Sequence, residues 1–514
     1  MTDTEKQTGQ TDQAEAISYF LDAGQHGGAE VTHVQTHGAH VFLADEMAYK
    51  IKRAVAYDYM DFSTLARRHA MLARELELNR PAAPDIYLDV LPLARSEDRG
   101  LTLGGDGTVV EWVLRMARFP AENELSAIAD RGALTDPLAA QIGEAVQSYH
   151  AQAPLRQAQG AQLMADILTE LETAFDGMQE ALGPERIATF RTTARAAHES
   201  VATMLDQRAT SGHVRRCHGD LYLDNIVMLD GRPVPFDALE FDETLGTCDV
   251  LYDLAFLLMD LRHRGLDRAA CIARDAWLFA ADTTEDTGTA ALPYFLGVRA
   301  AIRAMVEVQT GHAAGDTARH DAEARRYLDD ALRDFAPPPP RLLVVGGLSG
   351  TGKTTLARAL APLLAPSPGA VHLRSDLERK RLAGVGPLEH LPAEAYAAAN
   401  SHAVYERLVT RADTLLAAGQ SVVLDATWLA PAERAHLDTL AERRGVPLAA
   451  IWLEADTASL QDRVTRRRND ASDADAAVVD LQARQSSAPE NWLHVDASGT
   501  PAETLANARK ALDL

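Results

Sequence analysis

The stretch "RCHGDLYLDNIVMLDGRPVPFD", residues 216–237, decides how the first part of the chain is read. His218-Gly219-Asp220 is followed by Asn225, five places after the acid. Ile226 to Leu229 reads as a strand and Asp230-Gly231 as a two-residue hairpin turn. Pro235-Phe236 reads as the return strand, and Asp237 stands directly beyond it. Phosphoryl transfer needs few parts: a carboxylate to orient the accepting hydroxyl, oxygen ligands for Mg2+, and a lysine on the phosphates. Asp220 is placed for the first part, and Asn225 and Asp237 for the metal. Further on, "CDVLYDLAFLLMDL" opens a helix on which Asp253 can hold the loop in place.

Upstream, the chain starts β-rich. "VTHVQTHGAHVFLAD" and "MAYKIKRAV" read as two paired strands joined by a turn at 44–46. "STLARRHAMLARELELNR" carries Leu65, Leu72 and Leu76 at helical spacing, with Ser63 as its N-cap. "VVEWVLRMARF", residues 109–119, reads as a further strand. Residues 135–213 and the chain after Asp249 read as helical, so a small β-rich lobe precedes a large helical one.

With these parts in place, residues 30–335 resemble the aminoglycoside phosphotransferase superfamily of small-molecule kinases, whose HGD-x4-N and hairpin-end Asp recur here. The resemblance implies an α+β, protein-kinase-like bilobal domain. It implies Lys50 as the phosphate lysine and Glu75 as its helix partner. Lys52 is the alternative, because strand alternation puts both lysines on one face. His218 is then structural. Tyr222-Leu223 stand where the family often has His-Pro, and the phosphate-covering turn would hold the single Gly38.

A second motif follows a proline run. "GGLSGTGKTT" fits G-x4-G-K-[ST], comes after the strand "RLLVV" and opens a helix. Glycines let the backbone amides curl around phosphates, and the helix N-terminus adds positive potential. The residues Gly347, Ser349, Gly350, Thr351, Gly352, Lys353, Thr354 and Thr355 would take the nucleotide. Lys353 would reach the β and γ phosphates and Thr354 would ligate Mg2+.

"RLLVVGG", "AVHLRSD", "SVVLDAT", "LAAIWLEA" and "WLHVDAS" alternate with helical segments, which predicts an α/β domain with a parallel sheet. Asp376, ending the second of these strands, is a candidate base or a helix cap. Arg379 is a candidate for an acidic substrate group, and Asp425 for the magnesium shell or substrate. In "LQDRVTRRRND", Arg463 and Arg467 are one helical turn apart and suited to a lid over phosphates. This part resembles, over 341–490, the P-loop kinases grouped with gluconate kinase, polynucleotide kinase and zeta-type toxins. The two halves together resemble a bacterial family of predicted bifunctional aminoglycoside phosphotransferase/ATP-binding proteins.

Four prolines at 337–340 set the boundary. The expected domains are a disordered N-terminus over 1–25, a first domain over 26–335, a linker over 336–340 and a second domain over 341–514. The 514 residues, 46% hydrophobic, are enough for more than one core. A net charge of −24 argues against long nucleic-acid partners. Cys217, Cys248 and Cys271 have no metal or disulfide spacing, no apolar run is long enough to span a membrane, and the N-terminus is polar. A cytoplasmic location is expected.

The expected function is an ATP-dependent phosphotransferase with two Mg-ATP sites, acting on hydroxyl groups of small molecules. One alternative makes one domain a nucleotide-binding regulatory module. Another makes the C-terminal domain a 5′-hydroxyl nucleotide or polynucleotide kinase.

Overall fold

The computed structural model describes residues 13–57, 60–468, 470–485 and 488–514. By packing, the chain forms two units. One contains the residues up to Leu134 with Ser148–Ala158 and Gly212–Asp253. The other contains Thr135–Gln147, Gln159–Ser211 and Leu254–Leu514.

The first unit is built on a six-stranded antiparallel sheet. Its strands are β1 (Val31–Gln35), β2 (Ala39–Ala44) and β3 (Met47–Lys52), then, after helix α1 (Leu65–Asn79), β4 (Tyr87–Ser96), β5 (Gly100–Leu103) and β6 (Thr108–Ala117). The spatial order is β1-β2-β3-β6-β4-β5. The first long apolar stretch is therefore two strands, not one, broken by a turn in which Ala39 N–H bonds Thr36 Oγ1. Asp45, with φ 50°, makes the tight turn into β3.

Neighbours on one strand supply both faces of the sheet. Val113 joins Phe42, Ile51 and Leu93 in one core, while Leu114 joins Leu72, Ile86, Tyr87 and Val227 in another. Ala16 and Phe20 complete the first core, so residues 13–21 are helical where a disordered N-terminus is expected. Gln13 adds hydrogen bonds to Lys52 O at 2.6 Å and Glu111 Oε2 at 3.0 Å. Residues 1–12 of that expectation lie outside the described residues.

Helix α1 is capped by Thr64, not Ser63. The Thr64 side chain accepts from Arg67 N at 3.3 Å, while Ser63 donates to Asp61. We predict that Thr64→Ala lowers stability by about 1 kcal/mol, with Ser63→Ala smaller, as read by urea unfolding. The hairpin of β7 (Ile226–Leu229) and β8 (Arg232–Pro235) turns through Asp230 and Gly231, both at positive φ. Helix α2 (Val250–His263) begins in this unit.

The second unit contains a helical part and a parallel sheet. Phe175, Phe190 and Phe335, from three long helices, meet edge to face at 4.9 and 5.8 Å. Helix α3 (Asp267–Ala280) belongs to this part. The sheet strands are β9 (Leu342–Gly347), β10 (Val371–Arg374), β11 (Val422–Asp425), β12 (Leu448–Glu454) and β13 (Leu493–Asp496), in the order β10-β11-β9-β12-β13. All are parallel. They are the five apolar runs of the sequence; β9 and β11 are buried throughout, with helices such as α4 (Lys353–Leu360) and the helix Pro501–Leu512 packed on the sheet, while outer strand β13 buries only Val495. Helix α5 (Ser375–Leu382) follows β10, while α6 (Thr457–Arg466) and α7 (Ala476–Gln485) lie between β12 and β13. Among the described residues no helix is long and apolar enough to cross a membrane.

Candidate active sites

In the first unit, strand alternation aims Lys50 and Lys52 at the same helix residue. Glu75, on α1, is fully buried, and a buried carboxylate is tolerable only when paired. Its Oε1 lies 2.6 Å from Lys50 Nζ and its Oε2 2.6 Å from Lys52 Nζ. The two lysines then diverge. Lys50 donates to Asp237 Oδ1 at 3.0 Å, and Lys52 to Glu240 Oε1 at 2.5 Å. Side-chain exposure separates them further, at 13% for Lys50 and 3% for Lys52. Lys50 is thus the lysine that meets the hairpin-end acid. Burial lowers its ammonium, but Asp237 and Glu75 outweigh that and hold it well above the ordinary value.

Asp237 sits at φ 60°, and its N–H bonds the Tyr87 hydroxyl at 3.0 Å. Its side chain keeps 43% exposure. Desolvation raises its carboxyl, and the Lys50 charge with its hydrogen bond more than offsets this, leaving it below the usual range. Next door, Asn79 Oδ1 accepts Ala238 N–H at 2.7 Å, tying the segment to α1.

The loop 218–225 is held from behind. Both oxygens of buried Asp253 accept backbone N–H groups, from His218 at 3.0 Å and Gly219 at 2.9 Å. His218 Nε2 lies 2.8 Å from Phe236 O, joining the loop to the hairpin. Gly219 has φ 85°, a conformation that favours glycine. Asn225 Nδ2 donates to Asp220 Oδ2 at 3.0 Å and to Asp220 O at 2.8 Å, so the expected base and the expected metal residue are in contact. His150, which the sequence reading passed over, reaches Asp253 Oδ2 at 3.1 Å. No local motif marks it, since its partner is 103 residues away.

In the second unit, the loop between β9 and α4 borders a cavity of about 340 Å3 whose walls include Lys353, Thr354, Asp376, Asp425, Arg463 and Arg467. Gly347, Gly350 and Gly352 all take positive φ. A Cβ on Gly350 would stand 2.7 Å from Leu460 O, so the loop requires glycine there. Lys353 Nζ donates to Leu348 O at 2.9 Å. Burial holds its ammonium below the ordinary value, with Asp425 and Asp376 pulling the other way. Ser349 N–H bonds Gln482 Oε1, on α7, at 2.8 Å.

Asp425 is a hub. Its Oδ2 accepts from Thr354 Oγ1 at 2.6 Å and lies 3.2 Å from His372 Nε2. Burial acts to raise its carboxyl, but His372 and the nearby Arg374 and Lys353 bring it down to about 2. Asp376 behaves oppositely: burial raises it, and the Arg374 and Lys353 charges only partly offset that. A group with a raised carboxyl is a base only above its own pKa. We therefore predict that activity at this site climbs with pH along an acid limb lying above the ordinary value of 3.8, and that Asp376→Asn removes the limb. A pH profile of kcat/KM checks this.

Arg463 donates to Ser498 O at 3.1 Å. Arg467 lies just past the end of α6, in extended backbone at ψ 138°, yet still borders the cavity. The cluster is therefore not one continuous helix face: Arg466 pairs with Asp462, and Arg468 bonds Thr465 O. Arg379 is engaged elsewhere. It donates to Ala395 O at 2.9 Å and Ser401 Oγ at 3.2 Å, and stacks on Tyr396 at 4.7 Å. A group unmarked by sequence is Asp473, which joins buried Lys380 at 2.6 Å, Tyr396 hydroxyl at 2.6 Å and Leu391 N at 3.1 Å.

As donors, Asn225 and Asp237 in one unit, and Thr354 and Asp425 in the other, are the hard oxygen ligands that Mg2+ takes.

Residues 342–489 match a family described as an AAA domain. The chain is 29% identical over 487 residues to the uncharacterized protein Rv2004c of Mycobacterium tuberculosis, covering 90% of this chain and 92% of that one. The same identity and coverage hold for the uncharacterized protein Mb2027c of Mycobacterium bovis. Among solved structures, a gluconokinase from Sinorhizobium meliloti 1021 is similar over 34% of this chain and 92% of its own, with 23% identity and TM-score 0.25. The amicoumacin kinase hAmiN, in complex with AMP-PNP, Ca2+ and Ami, is similar over 64% of this chain and 96% of its own, with 14% identity and TM-score 0.41.

Proposed function

We propose that the chain is an ATP-dependent phosphotransferase with two Mg-ATP sites, each passing the γ-phosphate to a hydroxyl of a small molecule. The observation that carries this reading is Lys50, held between Glu75 and Asp237 by residues from a strand, a helix and the end of a hairpin. A strand lysine paired in this way is suited to fix the α and β phosphates, and the acid beside it to meet their metal. Asp220 then orients the acceptor hydroxyl and takes its proton, while Asn225 aligns it through the Nδ2 bond. In the second unit the loop amides and Lys353 cradle phosphates. Asp376 is the candidate base, and Arg463 and Arg467 neutralise charge that builds on the transferring group. Mg2+, held by Asn225 and Asp237 or by Thr354 and Asp425, would supply charge neutralisation on the phosphates.

The test is ADP release by the intact protein against a panel of hydroxyl metabolites, repeated with Asp220→Ala and Lys353→Ala. The dual reading predicts two acceptor profiles, each removed by one substitution. A panel response that neither substitution alters sinks it.

A second reading, in which the P-loop part is a nucleotide-gated module, draws on Gln482. That residue lies on the loop amide of Ser349, so nucleotide arrival would be felt by α7. Titrating ATP into the full chain carrying Asp220→Ala, which silences the first site, distinguishes the two, since a gate then binds Mg-ATP without acceptor-dependent turnover.

A further inference from the structure

Strand β10, which delivers Asp376, is an outer strand of the parallel sheet, paired with β11 on one side. An outer strand leaves a row of backbone groups without sheet partners. Here helix α3, encoded about 100 residues earlier, takes one of them, the His372 N–H, and the carbonyls of the segment that leads into the strand. Cys271 Sγ bonds Pro368 O at 3.1 Å. Arg274, with no exposed surface, donates to Gly369 O at 2.5 Å and Ala370 O at 2.6 Å. Asp275 Oδ2 accepts His372 N–H at 3.2 Å, and its Oδ1 holds the Arg274 guanidinium at 2.7 Å. The fit is close, since a Cβ on Gly369 would stand 2.7 Å from Cys271 Sγ and 2.5 Å from Ala361 O.

Helix α5, which starts at the end of β10, is gripped in the same way. Glu378, two residues after Asp376, accepts from Arg407 at 2.6 Å and Arg411 at 2.5 Å. Those arginines are held in turn by Asp282 at 2.7 Å and by both oxygens of Asp286 at 2.9 and 3.0 Å. Arg381 reaches Asp282 at 3.0 Å and lies over the Phe279 ring at 3.8 Å. So the strand carrying His372 and the helix carrying Asp376 and Glu378 are both fixed from the segment 271–286. His372 carries the restraint inward to Asp425, and Asp425 to Thr354.

We infer that Arg274, Asp275 and Asp286, all upstream of the proline run, are positioning residues of the P-loop site, fixing the strand from which His372 holds Asp425 and the helix from which Asp376 borders the cavity. This rests on reading that site as a phosphotransferase. It gives the helical segment a task at the second centre that no local motif announces. Buried carbonyls that lose their guanidinium donor must find another or move, and a displacement of about 1 Å at reacting groups costs on the order of 100-fold in rate.

The experiment uses the full chain carrying Asp220→Ala, so that turnover of Mg-ATP with water as acceptor arises at the P-loop. Lys353→Ala sets the floor. Asp275→Ala is expected to lower Lys353-dependent turnover about 10- to 100-fold. Affinity for a fluorescent ATP analogue should hold within about 3-fold, because the phosphate loop is untouched. Amides 371–376 should exchange faster. Asp275→Asn keeps an acceptor for His372 N–H and should restore most of the turnover, which a general loss of stability would not allow. Asp286→Asn, acting through Arg411, is the second variant and should lower turnover in the same direction. Turnover that Lys353→Ala leaves unchanged would sink the phosphotransferase reading itself. Lys353-dependent turnover that persists at full rate in both Asp275→Ala and Asp286→Asn, with exchange at 371–376 unaltered, would overturn the positioning role alone.

Discussion

Asp220→Asn is expected to lower acceptor-dependent turnover at the first site by about 100- to 10,000-fold, the usual worth of a positioned proton acceptor. The affinity for Mg-ATP should barely change. The substitution is close to isosteric, and the loop that carries it is anchored elsewhere, by Asp253 on the His218 and Gly219 amides. What the amide loses is the capacity to take a proton, while the contact with Asn225 is kept or reversed. The measurement is single-turnover ADP formation in a Lys353→Ala background, so that the second site is silent. A rate within a few-fold of the parent would remove Asp220 from the chemistry.

Lys353→Ala carries the second large effect, a fall of about 100- to 1,000-fold in turnover at the P-loop, because the charge proposed to meet the transferring phosphate is lost. Its stability signature is unusual and makes the prediction sharp. Lys353 is half-buried, and its ammonium is held below the ordinary value chiefly by desolvation. A lysine disfavoured in the folded state weakens folding at every pH at which the unfolded chain holds that proton, and the penalty fades as pH rises towards its ordinary value. Removing it should leave the ligand-free Tm unchanged or higher. At the same time the rise in Tm on adding Mg-ATP, which reflects binding at this loop, should shrink. A lowered ligand-free Tm would mean that the lysine is a structural prop rather than a charge kept for phosphate.

The two sheets differed in how far sequence revealed them. The parallel sheet was visible because its inner strands β9 and β11, buried throughout, appear as nearly unbroken apolar runs, and shorter apolar stretches mark the other three. In the antiparallel sheet, β4 went unread. Pro92 interrupts it, and register shifts at Tyr87/Asp89 and at Leu93/Ala94 break the alternation that marks a half-buried strand. The helix at 13–21 was hidden by its polar flanks, although Ala16 and Phe20 stand four apart, the spacing that puts both on one face.

At the sites, the residues close in sequence emerged together, as with Asp220, Asn225 and the phosphate loop. Lys50 and Lys52 could not be ranked by alternation, because it points both the same way; Asp237 and Glu240 separate them. His372, Asp473, Arg274 and Asp275 were beyond reach for a different reason. Each acts on a partner more than 50 residues distant, and no spacing rule spans such a gap.

The cover on β10 has a bearing on synthesis. Translation makes α3 first and the strand it shields roughly 100 residues later, a delay of about 5–20 s at ordinary elongation rates. The open row of backbone groups is thus born into a chain that already contains its shield. It need not wait beside other nascent chains, where bare strand edges seed aggregates. A gene fragment beginning at the proline run would reverse that order of safety. It would make the same strand without α3, leaving the His372 N–H, and the Gly369 and Ala370 carbonyls just before the strand, without these partners.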